Sequence, residues 1–234
     1  MKALLYKEFK LAMHPMCYVF IFVFPLMILI PSYPLAVGFI YVLAAYPILF
    51  LGANKGQQSN DLLYSVLLPV RKKDIVLARI FTVVIMQAVT ILLMSALYFP
   101  SLFIHQEILK SIEEAKALGK PVKDLVDVGF GLQSYVLVLG ISIIGFGLAD
   151  LVYFLIYYKK GKSIVMSTLF TIIGFVVYIL LFTIVLPFIK GLEFLNHLHI
   201  GIQFICLFVG ILISFGLHYL TYKGASKRLE KVDF

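Results

Sequence analysis

The sequence has little charge, no tryptophan and only two cysteines. Charged residues make up 14% of its 234 positions, against roughly 25% in an ordinary soluble domain. This shortage of charge, together with 62% apolar residues and a mean hydropathy of +1.03, excludes a soluble globular enzyme and a disordered binding tail. Cys17 and Cys206 both lie in apolar runs, so they provide no disulfide framework.

Sequence motifs typical of catalytic, nucleotide-binding or metal-binding sites are also lacking. Residues 161–163 (Gly-Lys-Ser) match the end of a phosphate-binding loop, but Ile156 stands where its first glycine is required. His197 and His199 would need a third metal ligand, for which only Glu193 is near, and we favour two histidines in an interfacial loop. The sequence therefore predicts no catalytic, metal or cofactor site, and no ATP bound by this chain.

Long apolar runs are what the sequence does contain. We predict an all-α membrane protein with six transmembrane helices, because a spanning helix needs about 20 apolar residues. The six predicted spans lie at about residues 16–30, 34–53, 75–104, 130–158, 163–189 and 200–222. Residues 1–14 are predicted to form an amphipathic interfacial helix, with Leu5 and Phe9 on one face and Lys7 and Lys10 on another.

The basic residues are distributed unevenly between the predicted loops. Fifteen of the 20 lysines and arginines fall on the side that holds both chain ends, which predicts cytoplasmic N- and C-termini. We therefore attribute the net charge of +8 to the basic residues of the cytoplasmic side, and not to a nucleic-acid-binding surface. We predict a multi-pass protein of the plasma membrane. Residues 1–234 form one domain, whose sizeable external segment, residues 105–129, includes a helix ended by Gly119 and Pro121.

Two further features lie within the spans. Asp150 precedes Lys159 by nine residues, about 13 Å along a helix, so it lies in the cytoplasmic half of the bilayer. It is either part of a local salt bridge or polar cap, or a polar group that faces a transport path or a subunit seam. Small residues with four-residue spacing predict close helix packing, within one chain or across a dimer seam. They are Gly145 and Ala149 on the fourth span, and Cys206, Gly210 and Ser214 on the sixth.

The cytoplasmic loop at residues 54–74, here called the coupling loop, is the most informative segment. Asp61 can cap a short helix that Pro69 ends. The apolar residues of this helix are Leu62, Leu63, Val66 and Leu67, and the basic cluster Arg71, Lys72 and Lys73 follows it. The helix is either interfacial and anchored by the basic cluster, or a docking helix for a cytoplasmic partner.

This loop resembles that of small ABC-2-type permeases, the membrane subunits of ATP-binding-cassette exporters. The residues that match the family pattern are Ser65, Leu68, Pro69, Val70, Lys72, Lys73, Asp74, Ile75, Val76 and Arg79. The opening residues 1–9, MKALLYKEF, also resemble the N-terminal interfacial helix of that family.

The resemblance implies a set of partners and a mechanism. Two permease subunits, as a homodimer or heterodimer, would work with two cytoplasmic ATPase subunits that hold ATP and Mg²⁺. The segment from Asp61 to Lys73 would couple ATPase closure to transport. The branch is similar to permeases that export phenol-soluble modulins or other amphipathic and antimicrobial peptides, or that confer immunity to them. The alternatives are an ATPase-independent channel or scaffold and an intramembrane enzyme.

Overall fold

The computed structural model describes residues 2–12, 16–26, 65, 69–118, 135–160, 164–181 and 199–231. The described elements are all helical. They are α1 (Lys2–Lys7) with a following π-helical turn (Glu8–Ala12), α2 (Met16–Leu26), α3 (Lys72–Ala117), α4 (Tyr135–Lys160), α5 (Ile164–Leu180) and α6 (Ile200–Glu230).

Three of the described helices are long and apolar enough to cross a membrane. They are Lys72–Ala117, Tyr135–Lys159 and Ile200–Glu230, whereas the apolar helix Val165–Leu180 is shorter. These helices correspond to the predicted third, fourth, sixth and fifth spans. The predicted second span lies outside the described residues, and the first is described only as the 11-residue α2. The count of six spans and the orientation of the termini therefore stay predictions.

Helix α3 is much longer than one bilayer crossing. Its 46 residues extend about 69 Å, against a hydrocarbon thickness of about 30 Å. The helix passes through Pro100 and ends at Ala117, immediately before Leu118 and Gly119. The described part of the segment predicted to be external, residues 105–118, thus continues the helix of the predicted third span without a break. The rest of that segment lies outside the described residues.

Helix α4 occupies the centre of the described helices, with α6 on one side and α5 on another. Among the described helices, the α4–α6 contact is the most extensive, and α3 packs against both of these helices. Aromatic side chains of α4 form much of the core, among them Phe146, Tyr153, Phe154 and Tyr158. Tyrosine hydroxyls also join the helices, since Tyr135 donates to the Met94 carbonyl at 2.6 Å.

The N-terminal segment differs from the predicted amphipathic pattern at Lys7. Lys7, which the pattern places on the polar face, is buried, and so is Glu8 beside it. Phe9 is half-buried and packs against the core, whereas Lys10 is exposed. The difference arises because the charged side chains of Lys7 and Glu8 have partners elsewhere in the chain, as described below.

Candidate functional site

A buried ion pair joins the N-terminal segment to the start of α3. Arg79 binds the Glu8 carboxylate with two hydrogen bonds, Nε to Oε2 at 3.0 Å and Nη2 to Oε1 at 3.3 Å. Both side chains are 4% exposed. A bidentate arginine–carboxylate pair fixes the relative orientation of the two side chains as well as their distance, because both groups are planar. The pair therefore holds the π-helical turn in one position against α3.

Three more residues extend this pair into what we call the ionic junction: Lys7, Glu8, Ser65, Arg79 and Tyr157. Arg79 Nη1 donates to the Tyr157 hydroxyl at 3.2 Å, and the guanidinium lies 5.9 Å from the centre of that ring. Lys7 Nζ lies 3.8 Å from Glu8 Oε1 and donates to the Ser65 hydroxyl. The junction therefore connects α1, α3 and α4 with a residue of the coupling loop.

The basic cluster that follows the coupling helix has partners within the chain. Arg71 caps α3 and binds Asp74 through Nε at 3.0 Å and Nη2 at 3.2 Å. This hydrogen bond raises the pKa of Arg71 above its ordinary value. Lys73 pairs with Glu230, 3.2 Å away at the end of α6. In each pair, at least one of the two side chains is exposed to solvent, so each pair contributes little to the stability of the fold.

Most of the predicted coupling helix lies outside the described residues. This applies to Asp61, Leu62, Leu63, Val66 and Leu67. Ser65 is described and fully buried, whereas Pro69 and Val70 are exposed just before α3. The coupling role of all these residues stays a prediction.

Asp150 is fully buried and connects three helices. Its Oδ2 atom accepts from Gln87 Nε2 of α3 at 3.1 Å and lies 2.9 Å from His218 Nε2 of α6. His218 Nδ1 lies 2.7 Å from the carbonyl oxygen of Ser214. Both ring nitrogens of His218 are thus occupied. Asp150 therefore has His218 as a polar partner, and the two form an ion pair when the imidazole is protonated. Its role, local or in a transport path or subunit seam, stays a prediction.

A cavity of about 560 Å³ lies beside this network, between α3, α4 and α6. Its walls are aliphatic and aromatic, and its polar residues are Gln87, Ser214 and His218. This volume and this mostly apolar lining with a few convergent polar groups are typical of small-molecule sites. Asp150 lies immediately behind the wall, where it holds both Gln87 and His218. We call this space the apolar cavity.

The small residues lie at close helix contacts. A Cβ atom added at Gly210 would lie 2.9 Å from the Gly140 carbonyl oxygen, so the backbones of α4 and α6 touch there. A Cβ atom at Gly145 would meet Phe175 and Tyr178 of α5 within 2.9 Å. These contacts are within one chain. The other small residues of the stripes are Ala149, which is buried, Ser214, which is buried, and Cys206, which is half-buried with a free thiol.

His199 caps the start of α6, where its Nδ1 atom accepts from the Gly201 amide at 3.2 Å. His197 lies outside the described residues. Across the described ranges, no three or more histidine, cysteine or acidic side chains are grouped to hold a metal ion.

Residues 3–118 match the model of a family described as ABC-2 family transporter protein. The match supports an ABC-2-type permease. The matched range ends one residue after α3 and includes the coupling loop and residues 3–9 of the opening segment. No curated protein and no solved structure matches the chain.

An ABC-2-type permease is the membrane component of a transporter and is not itself the enzyme. Such a permease implies a separate ABC ATPase as its partner in general. Together with the long apolar helices, the match indicates a membrane protein.

Sequence reasoning about this chain did not identify the contacts of four residues that the structure places at its polar sites. Glu8 and Arg79 both lie in segments that the sequence pattern identifies. Because they are 71 positions apart, no sequence pattern indicates that they form a pair. Gln87 and His218 are the partners of Asp150. His218 had one usable signal: it is an ionisable residue within a predicted span, and such residues usually have polar partners at the same depth.

Proposed function

We propose that this chain is the transmembrane permease subunit of an ATP-driven ABC exporter in the plasma membrane. Two permeases, identical or different, assemble with two cytoplasmic ATPase subunits, which hold ATP and Mg²⁺. The ionic junction is the observation that carries the proposal, because it links the coupling loop to the helices that surround the apolar cavity.

The two partners of a buried ion pair are energetically costly to separate. Removal of one partner from such a pair typically costs ~3–5 kcal/mol, because the remaining charge is left without compensation. Glu8 and Arg79 therefore move together, and Tyr157 moves with Arg79. A displacement of the coupling loop at Ser65 reaches Lys7 directly, and through Lys7 it reaches Glu8, α3 and α4. These are the connections that a transporter needs between its ATPase and its membrane helices.

Exposed apolar side chains support a second permease subunit. Along α6, large side chains such as Phe204, Phe208, Leu212 and Phe215 are exposed on the described part of the chain. In the membrane, such a surface meets either lipid or another helix. The proposed dimer places part of this α6 surface against the second permease.

Amphipathic or antimicrobial peptides are the proposed substrates, by the resemblance of the coupling loop alone. The direction is outward, and the same export serves either toxin release or protection of the producing cell. ATP-dependent uptake of a fluorescent amphipathic peptide into inside-out vesicles tests this part. Vesicles without ATP, and vesicles with an inactive ATPase, are the controls.

The assembly is tested by purifying the tagged chain at its native expression level and weighing the intact complex by native mass spectrometry. We expect a particle with two permeases and two ATPase subunits. A chain that elutes with no ATPase, under conditions that keep other ABC transporters whole, would contradict the proposal and favour the channel or scaffold.

A further inference from the structure

Three exposed lysines lie in one row at the end of α6. Lys223, Lys227 and Lys231 follow one another at four-residue spacing, so they share one face of the helix over about 12 Å of its axis. We propose that this row, here called the lysine row, binds the headgroup of an anionic phospholipid. The inference goes beyond the proposed function, because it requires only that α6 crosses a membrane and ends at its surface.

The lysine row has no acidic partner within the described ranges. The acids near this end of the helices are bound to other basic residues, since Glu230 pairs with Lys73 and Asp74 pairs with Arg71. No ion pair in the described part of the chain includes a lysine of the row. Three positive charges are therefore available to a ligand of opposite charge.

An exposed apolar stripe leads to the lysine row on the same face of α6. Val209, Ile213, Gly216 and Leu220 precede Lys223 at spacings of three and four residues. The three large side chains of this stripe are exposed, and a Cβ atom added at Gly216 would meet nothing within 4 Å. A phospholipid has the same order of parts, with acyl chains beside the apolar stripe and a charged headgroup beside the lysines.

The depth of the lysine row also fits a headgroup. The predicted sixth span, residues 200–222, extends about 33 Å along the helix, against a hydrocarbon thickness of about 30 Å. Lys223 is therefore the first residue beyond the hydrocarbon, next to a headgroup layer roughly 5–7 Å thick. Lysine side chains near the end of a membrane helix extend into this layer, where basic clusters attract anionic lipids.

Protein partners match this surface less well than a lipid does. A soluble protein would meet the lysines but not the apolar stripe, which lies in the bilayer. The proposed dimer uses a different part of α6, which includes Phe204, Phe208, Leu212 and Phe215. With 3.6 residues per turn, the lysine row is centred about 100° around the helix from these side chains.

Two phospholipids with the same acyl chains and different headgroups provide the test. Phosphatidylglycerol carries one negative charge, whereas phosphatidylcholine is zwitterionic. The purified full chain in detergent is titrated with each lipid, and native mass spectrometry gives the affinity for the first bound lipid. We expect phosphatidylglycerol to bind at least about fivefold more tightly, since each basic residue near an anionic lipid surface contributes about that factor.

Variants of exposed lysines assign the preference to the lysine row. Lys223→Gln/Lys227→Gln removes two of its charges, and Lys223→Arg/Lys227→Arg keeps them. Lys110→Gln/Lys116→Gln is the matched control, because it removes the same charge from exposed positions near the other end of α3. We expect the preference for phosphatidylglycerol to be lost in the first variant and kept in the other two.

Equal affinity of the wild type for the two lipids, or an unchanged preference in Lys223→Gln/Lys227→Gln, would overturn the proposal. An unchanged preference together with less co-purified ATPase would assign the lysines to an acidic surface of that partner instead. Thermal unfolding in phosphatidylcholine checks that the variants fold, as expected for substitutions of exposed side chains. A chain that binds no ATPase but keeps the lipid preference would reject the proposed function and support this inference.

Discussion

Arg79 and Glu8 are 71 positions apart in the sequence and form a bidentate ion pair that is almost completely buried. The pair fixes the N-terminal segment to the first turns of α3. Tyr157 of α4 accepts a further hydrogen bond from the same guanidinium. One arginine therefore holds together three separate parts of the chain at the end where the charge distribution predicts the cytoplasm.

The first prediction concerns this pair. Glu8→Met and Arg79→Met should each lower the stability of the folded chain by ~3–5 kcal/mol, because each leaves a buried charge without its partner. The double variant should lose much less than the sum, since both charges are then absent. Thermal unfolding in detergent measures all three. Lys73→Met, which breaks the exposed pair with Glu230, is the control and should cost under ~1 kcal/mol. If Glu8→Met lowers the stability no more than this control does, the Glu8–Arg79 pair does not fix the N-terminal segment to α3.

The second prediction concerns the contact of α6 with α4. Gly210→Leu should destabilise the chain by ~1–3 kcal/mol, because its Cβ atom would lie 2.9 Å from a backbone oxygen of Gly140 that cannot rotate away. Gly216→Leu on the same helix is the control, since a Cβ atom there meets nothing within 4 Å. Thermal unfolding and gel filtration in detergent compare the two. Equal stability of the two variants would show that this contact contributes nothing.

The third prediction concerns topology. Residues 72 and 116 lie near opposite ends of the continuous α3, about 66 Å apart along its axis. In a chain whose own cysteines are replaced by serine, Lys116→Cys should react with an impermeant thiol reagent added to sealed cells, and Lys72→Cys should not. Permeabilised cells, in which both positions should react, are the control. Labelling of position 72 in sealed cells would reverse the predicted orientation.

The helical class and the positions of the long helices could be predicted from the sequence. Apolar length alone locates the helices that the structure describes as α3, α4 and α6, and α3 ends at Ala117, two residues before Gly119 in the sequence. Their boundaries could not be predicted, because a hydropathy pattern stops at the first polar residues while the helix continues through them. For this reason α3 extends to Ala117, well beyond the predicted end of the third span at Ile104.

The polar sites could be predicted only in part. Asp150 was identified because an acid within a span stands out, but its partners Gln87 and His218 are set by how α3, α4 and α6 pack together. Likewise, Lys7 lies on the polar face of an ideal helix, and its burial follows from the contacts with Ser65 and Glu8. Contacts between distant segments leave no periodic signal in a single sequence.

If the coupling loop binds an ATPase subunit, as we propose, two substitutions in its predicted helix should release that subunit. Leu63→Asp and Leu67→Asp place a charge on the apolar face of the predicted docking helix. If that face is buried in a groove of the ATPase, the charge should reduce co-purified ATPase at least about tenfold, since an unpaired buried charge costs well over the ~1.4 kcal/mol that tenfold represents.

Leu118→Asp is the matched control, because Leu118 is 72% exposed at the far end of α3. Co-purified ATPase and substrate-stimulated ATP hydrolysis are measured side by side for the wild type and the three variants. We expect both quantities to fall in Leu63→Asp and Leu67→Asp and to stay at wild-type levels in Leu118→Asp. Wild-type levels of both quantities in all three variants would contradict it.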